Sequence, residues 1–555
     1  MSINGKKWLI KNKDNALSTF EKILKNRKFS FDSELKDFHD PFLFKEMDKS
    51  IKRILQAIKD KERIIIFGDY DVDGITGTAI LFQALSSLNA NVSYRIPNRE
   101  KDGYGLSIKF IEEFIEKEIS LIITVDCGIS CKDEIALANK HNIDTIISDH
   151  HTIPKEPPNS FAILHPQDKS SDYPYPWLTG AGVALKIAQA LIMRTKPENE
   201  WDKTLSKLID LASLGTVADL GPLSGENRLI VKRGLKELKN TKWEGLKHLM
   251  ELAGVRNHQP IDTTTIGFKI APRINAAGRI DSPYIALKLL LQNEKNEYVN
   301  TLGLKLEELN ILRQKMTNSA VEEAEEQVLK DNSLPFILIA HNTNWHIGIA
   351  GLVAGKLAEK YVRPVVIMQD MGDTLVGSAR SPEFFNVTEA IFHCADLLDN
   401  FGGHAQAAGL NIQKKNLKEF EKRISIFAAK KLKNSELMPI LNIDCEVKEE
   451  EINFNLLKEI EKLEPFGVEN ERPTFILKNR EPMFVNVVGK EKNHLKFSIK
   501  INNSTHNVIA FNMGRHLEEL KKSKKIDLAF SLSRNRWNNK EYLQLQALDI
   551  KINQQ

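Results

Sequence analysis

In the stretch "IIIFGDYDVDGITG" (residues 64–77) an apolar run delivers three aspartates at alternate positions, Asp69, Asp71 and Asp73. Carboxylates this close repel one another and lose hydration as their surroundings dry, so the grouping is costly unless a cation neutralises it. Hard divalent ions such as magnesium and manganese favour such oxygens. An acidic, solvated loop is the alternative, since Asp and Gly also make ordinary turns, and this stretch alone does not separate the two. Gly74 and Gly77 predict a tight turn into the helical run "TAILFQALSSL".

The elements around these residues decide between the readings. Runs rich in β-branched residues recur at "RIIIF" (63–67), "NVSYRI" (91–96), "LIITV" (121–125), "DTIIS" (144–148) and "FAILH" (161–165), mostly separated by helix-like stretches. That pattern predicts a parallel sheet of βαβ units, which places chemistry beyond the carboxyl ends of its strands. Four of the runs end in "GDYDVDG", "PNREKDGYG", "DCG" and "DHH". Acidic turns gathered at one sheet edge favour a metal. Asp126 enters with "DCG", and Asp149, His150 and His151 with "DHH". Adjacent side chains on an extended segment point in opposite directions, so the two histidines need not share one role. Asp219, in "GTVADLGPL", completes a possible set, although alone it reads as a helix cap.

At 555 residues the chain is long for one core, and a prior of roughly 100–200 residues per domain predicts three or four. Hydrophobic residues make up 42% and charged residues 27%, an ordinary soluble composition. No stretch approaches the roughly 20 apolar residues of a membrane span, and the start lacks the apolar core of a signal peptide, so a cytoplasmic location is expected. The cysteines, Cys127, Cys131, Cys394 and Cys445, lack zinc spacing and read as reduced structural thiols. Residues 295–331 read as one long connecting helix. A second α/β region follows, with "FILIAH", "VVIM" and "GLNIQ" as strands. The last 115 residues alternate in short segments such as "PTFIL", "HLKFSIK" and "YLQLQALDI", which predicts a small antiparallel barrel. From Lys478 onward there are 15 Lys and Arg against 7 Asp and Glu, a net +8 where the rest carries −4, so this end is a candidate polyanion surface.

Together "GDYDVDG", "VDCGIS", "SDHH" and "GTVADLGPL" resemble the four motifs of the DHH phosphoesterases. "PNREKDGYGLS", "APRINAAGR", "WHIGIAGLVAGKL", "GSARS" and "GGHAQAAGL" resemble, within them, the RecJ family of single-strand-specific DNA exonucleases. The resemblance covers most of the chain in the expected order. It implies an α/β fold: an N-terminal extension (1–50), a parallel-sheet DHH domain (51–285), a connecting helix (286–332), a DHH-associated substrate-binding domain (333–435) and an OB-fold β-barrel (436–555). It implies Asp71, Asp73, Asp126, His150 and Asp219 as ligands of manganese or magnesium, two ions with Asp126 between them, and Asp69 and His151 beside that core. Related DHH pyrophosphatases have a histidine ligand four positions before the second aspartate. Here that position is Phe67, so one metal site is expected to be less well filled, with Asp69 a substitute.

Arg99, Arg273, Asn275, Arg279, Ser378, Arg380, Gly402, Gly403 and His404 are the matching candidates for substrate contacts, by charge-assisted bonds or close backbone approach. His346 offers a helix N-terminus or mere packing. In the basic C-terminal segment the rings of Trp537 and Tyr542 are candidates for stacking on bases. The implied reaction is 5′ to 3′ hydrolysis of single-stranded DNA to mononucleotides in repair and recombination, by a monomer assisted by a single-strand-binding protein and a helicase. Two other readings remain: a phosphodiesterase for short oligoribonucleotides or cyclic dinucleotides, which has no need of a basic β-rich domain, and a non-catalytic DNA scaffold, which has no need of a complete metal shell.

Overall fold

A computed structural model of the chain describes residues 2–103, 105–255, 260–329, 334–434, 436–502, 504–537 and 540–553, with the backbone alone for Ser33 and for 536, 537 and 540. The chain forms two compact units. One is Leu35–Ser435; the other joins Met1–Glu34 to Glu436–Gln555.

In the larger unit the strands Ile64–Gly68, Val92–Arg95, Leu121–Val125, Asp144–Ser148 and Ala162–Leu164 form an all-parallel sheet. Counted along the chain, their order across the sheet is 2-1-3-4-5. Both faces are covered: Ile64 and Ile66 enter one core with the helices Val72–Ser86, Gly180–Thr195 and Trp201–Ala218, while Ile65 and Phe67 enter another with Phe110 and Phe114. Two-sided burial explains why these strands read as continuous apolar runs instead of alternating ones.

The helix after the first strand begins at Val72, earlier than the glycines suggested, so Asp73 sits in its first turn. Gly74 and Gly77 serve close approach instead of turning the chain. A Cβ on Gly74 would stand 2.5 Å from the carbonyl oxygen of Asp69, and one on Gly77 2.6 Å from Val125 Cγ1.

The connecting segment is two helices, a short one at Tyr284–Leu290 and a 32-residue one at Glu297–Val328. A second sheet follows, ordered Leu398–His404, Ala407–Gln413, Thr374–Arg380, Val365–Asp370 and Leu338–Asn342; only the last two pair in parallel.

The smaller unit is an eight-stranded sheet. Its pairing is mixed where an antiparallel barrel was expected: Ile440–Glu446 pairs in parallel with Phe475–Arg480, and Ser504–Ala510 with Lys540–Ile552. Its eighth strand, Lys7–Asn12, comes from the other end of the chain and lies parallel to Ile440–Glu446. The expected extension 1–50 is thereby divided, since Phe44, and Met47 at the start of the helix Met47–Lys59, pack into the core of the larger unit. Among the described residues no helix is long and apolar enough to cross a membrane.

Candidate metal centre and phosphate-binding groups

The chain order reverses between Ile64–Gly68 and Leu121–Val125, the switch point at which open parallel sheets bind ligands. Asp69, Asp71 and Asp73 follow the first of these strands, and Asp126 the second. Asp149–His151 follow Asp144–Ser148, and Asp219 caps the C-terminus of Trp201–Ala218. Asp126 has φ 62°, a left-handed backbone uncommon for a residue with a side chain. Its Oδ1 is 2.9 Å from His150 Nε2, which also lies 3.9 Å from Asp73 Oδ2 and 3.8 Å from Asp219 Oδ2. Three groups each bring one ligand atom per residue within 4.8 Å: Asp126, His150 and His151; Asp73, His150 and Asp219; Asp69, Asp71 and Asp126.

These carboxylates are short of counter-charge. Burial first, and neighbouring carboxylates second, push Asp73 up to about 7 and Asp219 up to about 8, and hold Asp69 and Asp126 well above the usual range. Asp69 Oδ1 is buried with no hydrogen-bond partner. An orphaned, dry lone pair among carboxylates and imidazoles is the donor set of a hard or borderline divalent ion, so these residues fit a metal.

The adjacent histidines do not face opposite ways as an extended segment would have them: their ring centroids are 4.6 Å apart and both reach Asp126 Oδ1, His151 Nδ1 at 3.8 Å, yet their protonation differs. Burial, then the charge on His151, lowers His150 to about 3, leaving it neutral, the form a metal ligand needs. Burial works against charge on His151 too, but the bond from its Nδ1 to Asp149 Oδ1 (2.8 Å) wins and raises it to about 9. Asp149 is held at about 2, because the bond and charge of His151 and the Ile129 amide outweigh its burial. Phe67 packs against Phe110, with centroids 5.2 Å apart, and supplies no donor.

Facing the acids is a group of cations. The Arg99 guanidinium lies 4.2 Å over the Tyr70 ring, with a buried Nε that has no hydrogen-bond partner. Arg279 donates to Gly348 O (3.1 Å); burial and then Arg99 lower it to about 9. Arg380 donates to Ser378 Oγ (2.9 Å) and is likewise lowered by burial and then by Arg99. Arg99 and Arg279 line a cleft with Glu100, Asp281, His346 and Gly348. His346 caps the helix Ile347–Tyr361, accepting from Gly348 N.

Other candidates stand differently. Arg273 is paired with Glu307, its Nη2 3.1 Å from Oε1. Asn275 accepts from Val72 N (3.2 Å), bracing the acidic turn. Gly402, Gly403 and His404 are exposed on the edge strand Leu398–His404. A Cβ on Gly403 would meet Ala407 O at 2.3 Å. The Trp537 side chain lies outside the described residues, and Tyr542 is exposed. The motifs did not single out Arg313, on the long helix, whose charge bears on Arg279. A lone arginine in a glutamate-rich helical pattern carries no sequence signal.

Residues 63–216 match the DHH family, N-terminal domain; residues 334–430 match the DHHA1 domain, and 443–549 the RecJ OB domain. The chain is 32% identical over 536 residues to the "single-stranded-DNA-specific exonuclease RecJ" of Haemophilus influenzae, covering 93% of this chain and 92% of that protein. The chain belongs to the RecJ family. The RecJ of Bacillus subtilis is 35% identical over 520 residues, covering 93% of this chain, which spans 65% of that longer relative. The RecJ fold is also that of the crystal structure of Thermus thermophilus RecJ in complex with Mn²⁺: TM-score 0.84 at 27% identity, over 100% of this chain and 80% of that one. A second RecJ structure from that organism is in complex with Mg²⁺.

Proposed function

We propose that this chain is a divalent-metal-dependent exonuclease that hydrolyses single-stranded DNA from the 5′ end and releases mononucleotides, in repair and recombination. The observation that carries the reading is the pairing of two unbalanced charge groups at one switch point: a dry acidic group with an orphaned Asp69 oxygen, and half-buried arginines beside it. Asp71, Asp73, Asp126, His150 and Asp219 would hold two Mn²⁺ or Mg²⁺ ions, with Asp126 shared and Asp69 standing in at the Phe67 position. Ions bound there would acidify an attacking water and neutralise charge on the scissile phosphate and the leaving oxygen.

This chain's own groups do the rest. His150, neutral, would offer its lone pair to a bound ion, and His151, protonated and oriented by Asp149, would face the phosphate as a donor. Arg99, Arg279, Ser378 and Arg380 grip phosphate oxygens at the 5′ end, which sets the polarity, and His404 adds a donor at the reacting phosphate. The OB domain of the smaller unit, with its basic segment, binds single strands; a substrate of two or three nucleotides would have no use for it. The protein acts as a cytoplasmic monomer, with a helicase and a single-strand-binding protein supplying free 5′ ends.

One digestion tests this. Single-stranded DNA, duplex DNA and RNA, each labelled at one end, are incubated with Mn²⁺, Mg²⁺ or chelator. Mononucleotides released from the 5′ end of single-stranded DNA alone, and only with metal, are the expected result. Release from the 3′ end, or preferential cleavage of RNA dinucleotides, overturns it.

A further inference from the structure

One carboxylate of the acidic group is held from outside its own turn. Thr179 is the N-cap of the helix Gly180–Thr195, and its Oγ1 donates to Asp73 Oδ1 (2.9 Å). The first two amides of that helix also donate to Asp73, Gly180 N to Oδ2 (2.6 Å) and Ala181 N to Oδ1 (2.9 Å). A carboxylate oxygen has two lone-pair directions in its plane. Both on Asp73 Oδ1 are therefore occupied, and one remains on Oδ2, the oxygen turned toward His150 Nε2 at 3.9 Å.

Asp71 is treated in the same manner by a different helix. Its Oδ1 accepts from Asp73 N (2.9 Å) and Gly74 N (3.1 Å) at the start of Val72–Ser86, leaving Oδ2. Two helix N-termini thus reduce two carboxylates to single-atom donors, and their positive ends offset part of the acidic charge. The fit is close. A Cβ on Gly180 would stand 2.5 Å from Asp126 Cβ and 2.8 Å from its Oδ1, so only glycine lets the helix end come this near.

We propose that the turn Thr179–Ala181 is a positioning element: it fixes Asp73 so that Oδ2 alone faces the centre, and so sets cation affinity in the Asp73–His150–Asp219 group separately from the Asp69–Asp71–Asp126 group. Thr179 is its adjustable part, because it holds Asp73 through a side chain where the other two residues use backbone. The inference rests on the metal-centre reading above. Outer partners that orient a ligand are typically worth about 10- to 100-fold in metal affinity.

The test is a titration of the metal-free, full-length protein with Mn²⁺ alone, following free Mn²⁺ by electron paramagnetic resonance, on wild type, Thr179→Val and Thr179→Ser. Valine keeps the shape and removes the hydroxyl; serine keeps the donor. In Thr179→Val one class of bound Mn²⁺ is expected to weaken about 10- to 100-fold while the other moves less than about 3-fold, with Thr179→Ser close to wild type. If the valine protein does not fold by circular dichroism, Thr179→Ala is read in its place. Unchanged binding in the valine variant overturns the proposal, as does equal weakening of both classes, or a serine variant as weak as the valine one. Absence of Mn²⁺ binding by the wild type would instead sink the metal-centre reading.

Discussion

The acidic group and the arginine group are opposite solutions to one problem. Each gathers like charges in a dry place without enough partners, and in each the charged form is disfavoured, so that carboxylates such as Asp219 rise to about 8 while Arg279 falls to about 9. They differ in how they are held. The acids sit on strand ends and helix starts, where Asp71 and Asp73 are fixed by backbone amides and Asp126 by its own left-handed backbone. The arginines reach in on long side chains from separate segments and settle on carbonyls and a hydroxyl, as Arg279 does on Gly348 and Arg380 on Ser378. A rigid cage suits an ion of fixed radius; flexible forks suit phosphates that arrive and leave. Ion and substrate together would neutralise what the protein leaves unpaired.

The largest expected break in this comparison is Asp126→Ala. Losing the carboxylate shared by two of the candidate ligand groups should lower turnover on the order of 10⁴-fold or more. DNA binding should stay within a few-fold, since affinity for a polyanion comes from cations and stacking elsewhere. Single-turnover cleavage and filter binding on the same oligonucleotide check both, and near-normal turnover in a folded variant would remove the site assignment. Arg380→Ala should do the reverse. A charge-assisted bond is worth about 1.5–3 kcal/mol, so KM for a 5′-phosphorylated strand should rise roughly 10- to 100-fold with kcat changed little. The same rise on a 5′-hydroxyl strand would place Arg380 away from the terminal phosphate.

The smaller unit offers a milder perturbation. A fragment spanning residues 35–435 keeps both charge groups, and it should still cleave very short oligonucleotides in the presence of metal. Its affinity for long strands should fall about 10-fold, and its log-log salt slope should shrink by roughly 0.7 for each phosphate that the fragment no longer neutralises. Unchanged affinity and slope would make this unit a docking module for proteins. The boundary at residue 35 was not legible in the sequence. "KWLIKN" looks like any short strand, and its parallel partner Ile440–Glu446 is more than 400 residues away, beyond the reach of local pattern. The acidic residues from Asp69 to His151 were legible because their turns end apolar runs, and the strand-end rule gathers them without knowledge of side chains; Asp219, at a helix end, lies outside that rule. Which atoms face the centre was not. Thr179 meets Asp73 from 106 positions away, and Glu307, which neutralises Arg273, sits on a helix whose pattern gives no reason to separate it from its other glutamates.

The smallest effect tests whether the acidic group is as starved of counter-charge as its geometry implies. In the unfolded chain Asp73 and Asp219 titrate near 4; in the folded, metal-free protein they do so at about 7 and about 8. Between those limits the folded state binds more protons, so stability falls as pH rises. His151, raised to about 9, adds the same sign: its contribution is fully present below about 6.5 and lost as pH climbs through 9. His150, lowered to about 3, opposes this only below about pH 6.5, above which it is neutral in both states. Asp149, held at about 2, contributes stability that is lost only in strong acid. From pH 6.5 to 8.5 the two aspartates and His151 therefore act together. The melting temperature of chelator-treated protein should drop across this range, on the order of a few °C for a unit of this size. With saturating Mn²⁺ the drop should shrink to what His151 alone contributes, because the cation takes the place of the protons on the two aspartates. A metal-free melting temperature that stays flat or rises over the same range would mean the carboxylates already have their counter-charge from the protein, and the contrast with the arginines would be lost.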